Sequence, residues 1–322
     1  MSNLFGERRK RFQRPPKERL PPFRYMPHDD AILTVVYQYG EMPSDWLANL
    51  VSGTQGWNLR RLQGLYKHQY LERRKQGNNL PILYTLGRRG AERLAEKWGQ
   101  TPQQVLSKSR ARFKRHLYDH AREICEFRYA LDQAIAGRED MRLKFWYADG
   151  GIVERVSYLS GPKLITKTLV KDSFFGLEFD LPGREPMLVG CVLEHDRSTV
   201  WGTTQKEGKL YSRYDAYWHM WQQGLFFRKY GVKSLLVLTV TTSEPRKDNL
   251  RRLVRDAGKQ NNGSQVFWFT TIDQFQNMPD AILKSIWQTP RDDRYHALTE
   301  FIPTALYPTP SLFQPAQYDP NT

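Results

Sequence analysis

Cysteine is nearly absent from this chain of 322 residues: Cys125 and Cys191 are the only two. Both stand inside apolar patterns, which excludes a disulfide framework and a cysteine-based zinc site and fits a reducing compartment. Long apolar runs are missing as well. No stretch approaches the ~20 residues that cross a bilayer. The N-terminus is too charged for a signal peptide, and no basic helix carries a clean apolar face for a membrane surface. The chain is therefore expected to be cytoplasmic, with no membrane partner. Acid is the third shortage: 34 Asp and Glu stand against 49 Lys and Arg, a net charge of +15. An excess of that size repels itself, so a polyanion is the expected partner. Apolar material is ample, at 39% of the residues with nine tryptophans, and the length suffices for two domains, each with its own core.

The charge is concentrated at the start. Residues 1–24 hold eight Lys or Arg, two Glu and four Pro without apolar period, so residues 1–27 read as a flexible basic arm. From Asp29-Asp30 the pattern turns helical, with Ile32, Leu33, Val36 and Tyr37 on one face. "PSDWLANLVSG" reads as a second helix, and a third carries Leu59, Leu62 and Leu65 or Tyr66 inward. Arg60, Arg61, Gln63 and Lys67 point elsewhere on that third helix. "YLERRKQ" and "PILYTL" are strands about the turn Gly77-Asn78-Asn79, and "RGAERLAEKWG" is a closing helix. Three helices and a hairpin over residues 28–100 are the layout of a winged helix-turn-helix. Its third helix would enter the major groove of double-stranded DNA, and Arg73, Arg74 and Lys75 on the wing would touch backbone. The alternative is a small helical domain whose arginines are merely solvated.

Residues 101–286 alternate elements. A long helix, "RFKRHLYDHAREICEFRYALDQAI", has a core face of Leu117, Ala121, Ile124, Leu131 and Ile135. His116 and His120 are four apart on it, a metal-ligand spacing, but no Glu follows the first and no third ligand is evident, so two ordinary histidines weigh more. Then come strand "MRLKFWY", an irregular stretch, strands "SFFGLEFD" and "MLVGCVLEHD", a long helix from Gln205 to Gly231, the apolar strand "SLLVLTVTT", the helix opened by Pro245, and strand "QVFWFTT". Helix, three strands, helix, strand is the αβββαβ order of the restriction-endonuclease core, so the fold class is α+β or α/β. From Trp287 prolines dominate, and residues 287–322 are expected to form an irregular tail that holds a protein partner.

The candidate chemistry lies at the exit of the third strand, where the apolar run ends in Glu194-His195-Asp196. Glu194 and Asp196 share a face. A hairpin turning at Pro182-Gly183-Arg184 brings Asp172 within about one position of either, the register being open because one slipped residue flips the face. Three converging carboxylates repel unless a cation or a shared proton relieves them. Mg²⁺ or Mn²⁺ held by Asp172, Glu194 and Asp196 would suit such oxygen ligands and perform phosphodiester chemistry. Lys206 and Lys209, at the start of the next helix, would steady developing charge. The alternative is a structural ion cluster in which Arg197 and lysines neutralise the acids. Tyr211, Tyr214 and Tyr217 recur at helical spacing and could attack phosphate, but a stripe that includes Trp218 and Trp221 is more often core.

The segments "LRRLQGLYKHQYLERR…LYTLGRRGAERLA", "KDSFFGLEF…VLEHDRST…KLYSRYDAY", "LLVLTV" and "VFWFTTIDQF" together resemble the replication-relaxation family of plasmid and mobile-element proteins. The resemblance implies a winged helix followed by a PD-(D/E)XK nuclease-like domain. It gives Asp172 the place of the motif's first acid, with Lys171 replacing the proline, and Glu194 that of the second. Asp196 stands where the motif's lysine would be, and Lys209 could supply that charge from the helix. The implied function is DNA binding in replication, relaxation or mobilisation of a bacterial plasmid, phage or integrative element, with metal-dependent nicking catalysed by Asp172, Glu194 and Lys209. The alternative, favoured by Asp196, is a non-catalytic regulator on a degenerate nuclease-like scaffold.

Overall fold

In the computed structural model of this protein the described residues are 14, 16, 20–75, 80–109, 118–147, 152–160, 162–180, 183, 185–197, 204–232, 234–257, 266–276 and 278–301. Helix and sheet are mixed, as α+β, in two units, Met1–Cys125 and Glu126–Thr322.

The first unit begins with α1 (Pro27–Tyr39). Pro27 opens it with a preset φ, and the Asp29 carboxylate accepts the Met26 N–H at 2.8 Å. The acids expected ahead of this helix are thus inside its first turn, where its positive end favours them. Ile32, Leu33 and Val36 are fully buried. There follow β1 (Glu41–Pro43), α2 (Ser44–Leu50), α3 (Gln55–Lys67), β2 (Leu71–Arg74), β3 (Leu83–Leu86), α4 (Arg88–Trp98) and α5 (Pro102–Ser109). Thr54 caps α3 by accepting the Trp57 N–H, and α3 buries Leu62, Leu65 and Tyr66. The three strands pair antiparallel in the order β1-β3-β2. β1 has three residues, too few for an alternation to reveal it; only Glu41↔Thr85 pairing and its neighbours define it. Gly77, Asn78 and Asn79 lie outside the described residues. α6 (Tyr118–Ile135) carries the division between units, later than the boundary expected near residue 100. Cys125 belongs with the first unit because its thiol sits 3.6 Å from the carbonyls of Tyr39 and Glu41.

The second unit contains β4 (Met141–Tyr147), β5 (Val153–Ser160), β6 (Lys163–Val170), β7 (Ser173–Phe179), β8 (Met187–Asp196), α7 (Thr204–Gln222), α8 (Leu225–Tyr230), β9 (Ser234–Thr241), α9 (Glu244–Ala257), β10 (Phe267–Thr271), α10 (Asp273–Gln276), β11 (Trp287–Gln288) and β12 (Tyr295–His296). Seven strands make one sheet in the order β12-β11-β10-β9-β8-β7-β4. β4 pairs antiparallel with β7 and β7 antiparallel with β8, whereas β8, β9 and β10 run parallel. All eight β9 residues are buried, as a run of "SLLVLTVT" covered on both faces requires. The alternation of β7 shows the two layers directly. Phe174 packs on Phe226 and Tyr230, whereas Phe175 turns to Phe127 and Trp146.

Three expectations change here. The stretch between the first two strands, read as irregular, forms the antiparallel hairpin β5–β6, whose inner Val156, Tyr158 and Leu169 are buried in the core. The long helix ending at Gly231 is two helices, because Gly224 adopts φ 62° between them. Residues 287–301 are not an irregular tail. β11 pairs with β10 through Phe269↔Gln288, Trp287 is fully buried, and β12 pairs with β11. Residues 302–322, including the prolines proposed to hold a partner, lie outside the described residues.

Candidate functional site

β7 and β8 pair in the register Ser173↔Leu193, which sets Asp172 opposite Glu194 just beyond the last pair. The Asp172 carboxylate accepts the backbone N–H of His195 at 2.6 Å. Glu194 is buried at 7% exposure, and α7 meets it with two groups one turn apart. Arg213 donates to both oxygens, at 2.8 and 2.6 Å, and the Tyr217 hydroxyl donates to Oε1. Burial pushes the Glu194 carboxyl up to about 7, with Asp172 adding to the rise and Arg213 opposing it. Asp196 has a different partner. β8 runs parallel to β9 with Asp196↔Thr241, so the first turn of α9 reaches it, and Arg246 grips its two oxygens at 2.6 and 3.3 Å. Glu194 and Asp196 are therefore each answered by an arginine, and Asp172 by a backbone amide.

Lys171, the residue before Asp172, is 1% exposed. Its ammonium lies 5.3 Å over the Phe226 ring and has no hydrogen-bond partner among the described residues. Burial lowers its pKa to about 8, against the pull of Glu154 and Glu194. Lys206 and Lys209 fall in α7, but their side chains lie outside the described residues. Two of the three stripe tyrosines are core: Tyr214 and Tyr217 are buried, and Tyr214 bonds Thr239 at 3.2 Å, while Tyr211 is half-buried.

In the first unit the basic residues divide. Arg60 is exposed and makes no ion pair among the described residues, and Lys67 is half-buried and likewise unpaired. Arg61, expected beside them on a DNA-facing surface, instead pairs with the fully buried Asp29, Nε to Oδ1 at 2.9 Å, and lies 4.4 Å over Phe23. The 3.6-residue period turns consecutive positions about 100° apart, which is enough to send Arg60 out and Arg61 in. Arg73 stacks over Tyr66 at 4.1 Å, Arg74 bonds Glu41 at 2.8 Å, and Lys75 is exposed. Part of the arm expected to be flexible is docked here: Arg14 Nε donates to the Tyr66 carbonyl at 2.9 Å, and Phe23 stacks on His68 with ring centroids 4.8 Å apart.

A family profile described as Replication-relaxation matches residues 33–236. The chain belongs to the replication-relaxation family. The matched segment runs from α1 into β9 and includes α3, β2, Asp172, Glu194, Asp196 and Arg213; Arg246 lies beyond it. Membership suggests a role in replication or relaxation of a plasmid or mobile element. No curated protein and no solved structure matches the chain. Among the described residues, no helix of this replication-relaxation protein is long and apolar enough to cross a membrane.

Whether Mg²⁺ fits the acids turns on their free oxygens. A hard divalent ion wants several open carboxylate oxygens in near-octahedral order. In this replication-relaxation protein both oxygens of Glu194 and both of Asp196 already face guanidinium groups. Among the described residues, Asp172, Glu194 and Asp196 do not form a set with ligand oxygens all within 4.8 Å. The acids as arranged do not fit a divalent ion. Sequence reasoning does not single out Arg213 or Arg246, and it places Tyr217 in the tyrosine stripe rather than against Glu194; the available signal is Arg213 standing four residues before Tyr217 on an otherwise aromatic face.

Proposed function

We propose that this protein binds duplex DNA during replication or relaxation of a plasmid or other mobile element, and that its second unit is a nuclease-like scaffold that does not cleave. In this reading α1, α2, α3 and the β2–β3 hairpin are a winged helix-turn-helix, with exposed Arg60 and Lys75 and half-buried Lys67 against the DNA. The αβββαβ unit keeps the layout of a restriction-endonuclease core, but its acids serve as buried anchors for α7 and α9. One observation carries this: Glu194 and Asp196 are each held by an arginine, and a guanidinium on a carboxylate blocks the position a metal would take. The +15 charge supplies the long-range attraction.

Metal-dependent nicking is the second reading, favoured by the juxtaposition of Asp172 with Glu194 and by the buried Lys171. It requires Arg213 and Arg246 to leave their acids, with Lys209 or Lys171 then supplying positive charge. Calorimetric titration with Mg²⁺ and Mn²⁺, with and without duplex DNA, separates the two. The proposal expects DNA binding that weakens steeply with salt and no metal heat. Stoichiometric metal binding that disappears in both Asp172→Ala and Glu194→Ala would replace it with the nicking reading.

A further inference from the structure

The β5–β6 hairpin stands out in the charge distribution of the second unit. Many of the described basic side chains there are neutralised: Arg142, Lys144, Arg213, Lys229, Arg246 and Arg251 all have carboxylate partners. On and beside the hairpin the reverse holds. Arg155 on β5, Lys163 on β6 and Arg228 on α8 are exposed and make no ion pair among the described residues. The only acid between residues 153 and 170 is Glu154, and it is already satisfied by Lys229 at 2.8 Å and by the Tyr230 hydroxyl.

The apolar residues point the same way. Along the outer face the cross-strand pairs are Val153↔Val170, Arg155↔Thr168, Ser157↔Thr166 and Leu159↔Leu164. Leu159 and Leu164 face each other near the tip and are 67% and 70% exposed. Ser157 and Thr166 join their hydroxyls at 2.8 Å. A row of hydroxyls with a bare leucine pair at its end cannot be explained by the core, which takes the inner residues instead. Where the ribbon meets α8 a cavity of about 200 Å³ is lined by Arg155, Arg228, Lys229 and the Glu154 that Lys229 holds, over Leu225 and Phe226.

We infer that the β5–β6 ribbon is a second duplex-DNA contact, laid into the major groove with its outer face toward the bases. The groove admits a two-stranded ribbon, and eight paired positions give a ribbon of roughly 26 Å at about 3.3 Å per residue. Arg155 and Arg228 take a backbone phosphate at the cavity mouth, Lys163 takes another near the tip, and the Leu159–Leu164 pair rests on thymine methyls. The inference depends on the duplex-DNA reading for its ligand but uses none of the residues of α3.

The test is salt-dependent fluorescence anisotropy of the full chain on one labelled duplex, with three arms: wild type, Arg60→Ala/Lys67→Ala, and Arg155→Ala/Lys163→Ala/Arg228→Ala. Each phosphate contact contributes about 0.9 to the slope of log affinity against log salt. With two phosphates lost, the ribbon variant should therefore lose roughly 2 from that slope while melting like wild type, and Arg155→Lys/Arg228→Lys should keep the slope. A ribbon variant with the wild-type slope, when the α3 variant has lost its own share, overturns the ribbon and leaves the winged-helix reading standing. Absence of duplex binding by wild type at any salt overturns both. If wild type sediments as a dimer, Leu159→Ser/Leu164→Ser as a monomer, and DNA affinity does not change, the face belongs to self-association and the inference is wrong.

Discussion

Replacing Glu194 with Gln should change how stability depends on pH, in a direction fixed by burial. The carboxyl titrates near 4.5 in an unfolded chain and is pushed up to about 7 here by desolvation, partly offset by Arg213. At about 1.4 kcal/mol per unit, that difference corresponds to roughly 3 kcal/mol. The side chain is 10% exposed, so solvent screening removes little of it. The folded value lies above the unfolded one, so the native state holds the proton more tightly. Its contribution is fully present below pH ~4.5 and is lost as pH rises through about 7. Gln carries no such proton, so Glu194→Gln should match wild type near pH 4.5 and exceed it by up to about 3 kcal/mol at pH 8. The two units need not unfold together, so the readout is the urea dependence of hydrogen exchange at β9 amides, which pair directly with β8. Parallel pH profiles for the two proteins, within about 0.5 kcal/mol, would refute the placement of Glu194 in a desolvated site.

The neighbouring residues give sharper contrasts. Arg213→Met strips the buried carboxylate of its guanidinium and should cost about 3 kcal/mol or more at pH 8. The cost should be smaller at pH 5, where Glu194 takes up a proton, and Arg213→Met/Glu194→Gln should recover most of it in the same exchange measurement. Arg61→Met leaves Asp29 buried without its partner and should destabilise the first unit by about 3 to 5 kcal/mol; Arg60→Ala should change stability by less than about 0.5 kcal/mol and weaken DNA binding. Gly64 and Gly90 differ in what a Cβ would strike. At Gly64 it meets the movable Phe23 ring at 2.7 Å, so Gly64→Ala should release the arm and speed tryptic cleavage at Arg24 without unfolding the unit. At Gly90 it meets the Tyr70 carbonyl at 2.3 Å, so Gly90→Ala should lower the melting temperature, by about 1 to 3 kcal/mol of stability.

Elements with a strong period were legible in the sequence. The buried strand "SLLVLTVT", the strands "MRLKFWY" and "SFFGLEF", and Ile32, Leu33 and Val36 of the first inward face stand where the pattern put them, whereas Tyr37 of that face is only half-buried. β1 was invisible because three residues carry no period, and β11 and β12 because two residues carry none while prolines nearby suggested a tail. The β5–β6 hairpin was missed because its outer face mixes valine, leucine and threonine with serine and arginine, which blurs the alternation a half-buried strand should show. At the site, the meeting of Asp172 with Glu194 followed from counting across the hairpin turn. The counter-ions did not, since Arg213 and Arg246 approach from helices 19 and 50 residues on from the acids they hold. Local spacing cannot reveal a partner fixed by packing, and that is why neither arginine is legible beside its acid in the sequence.

The direct test of the central claim is a plasmid relaxation assay with Mg²⁺ or Mn²⁺, run on wild type beside Asp172→Ala and Glu194→Ala. The arginine-held acids imply that wild type retards supercoiled plasmid in a gel and leaves it supercoiled after deproteinisation. Conversion to nicked circles by wild type, lost in both variants, would contradict the claim and make the strand-end acids a catalytic centre.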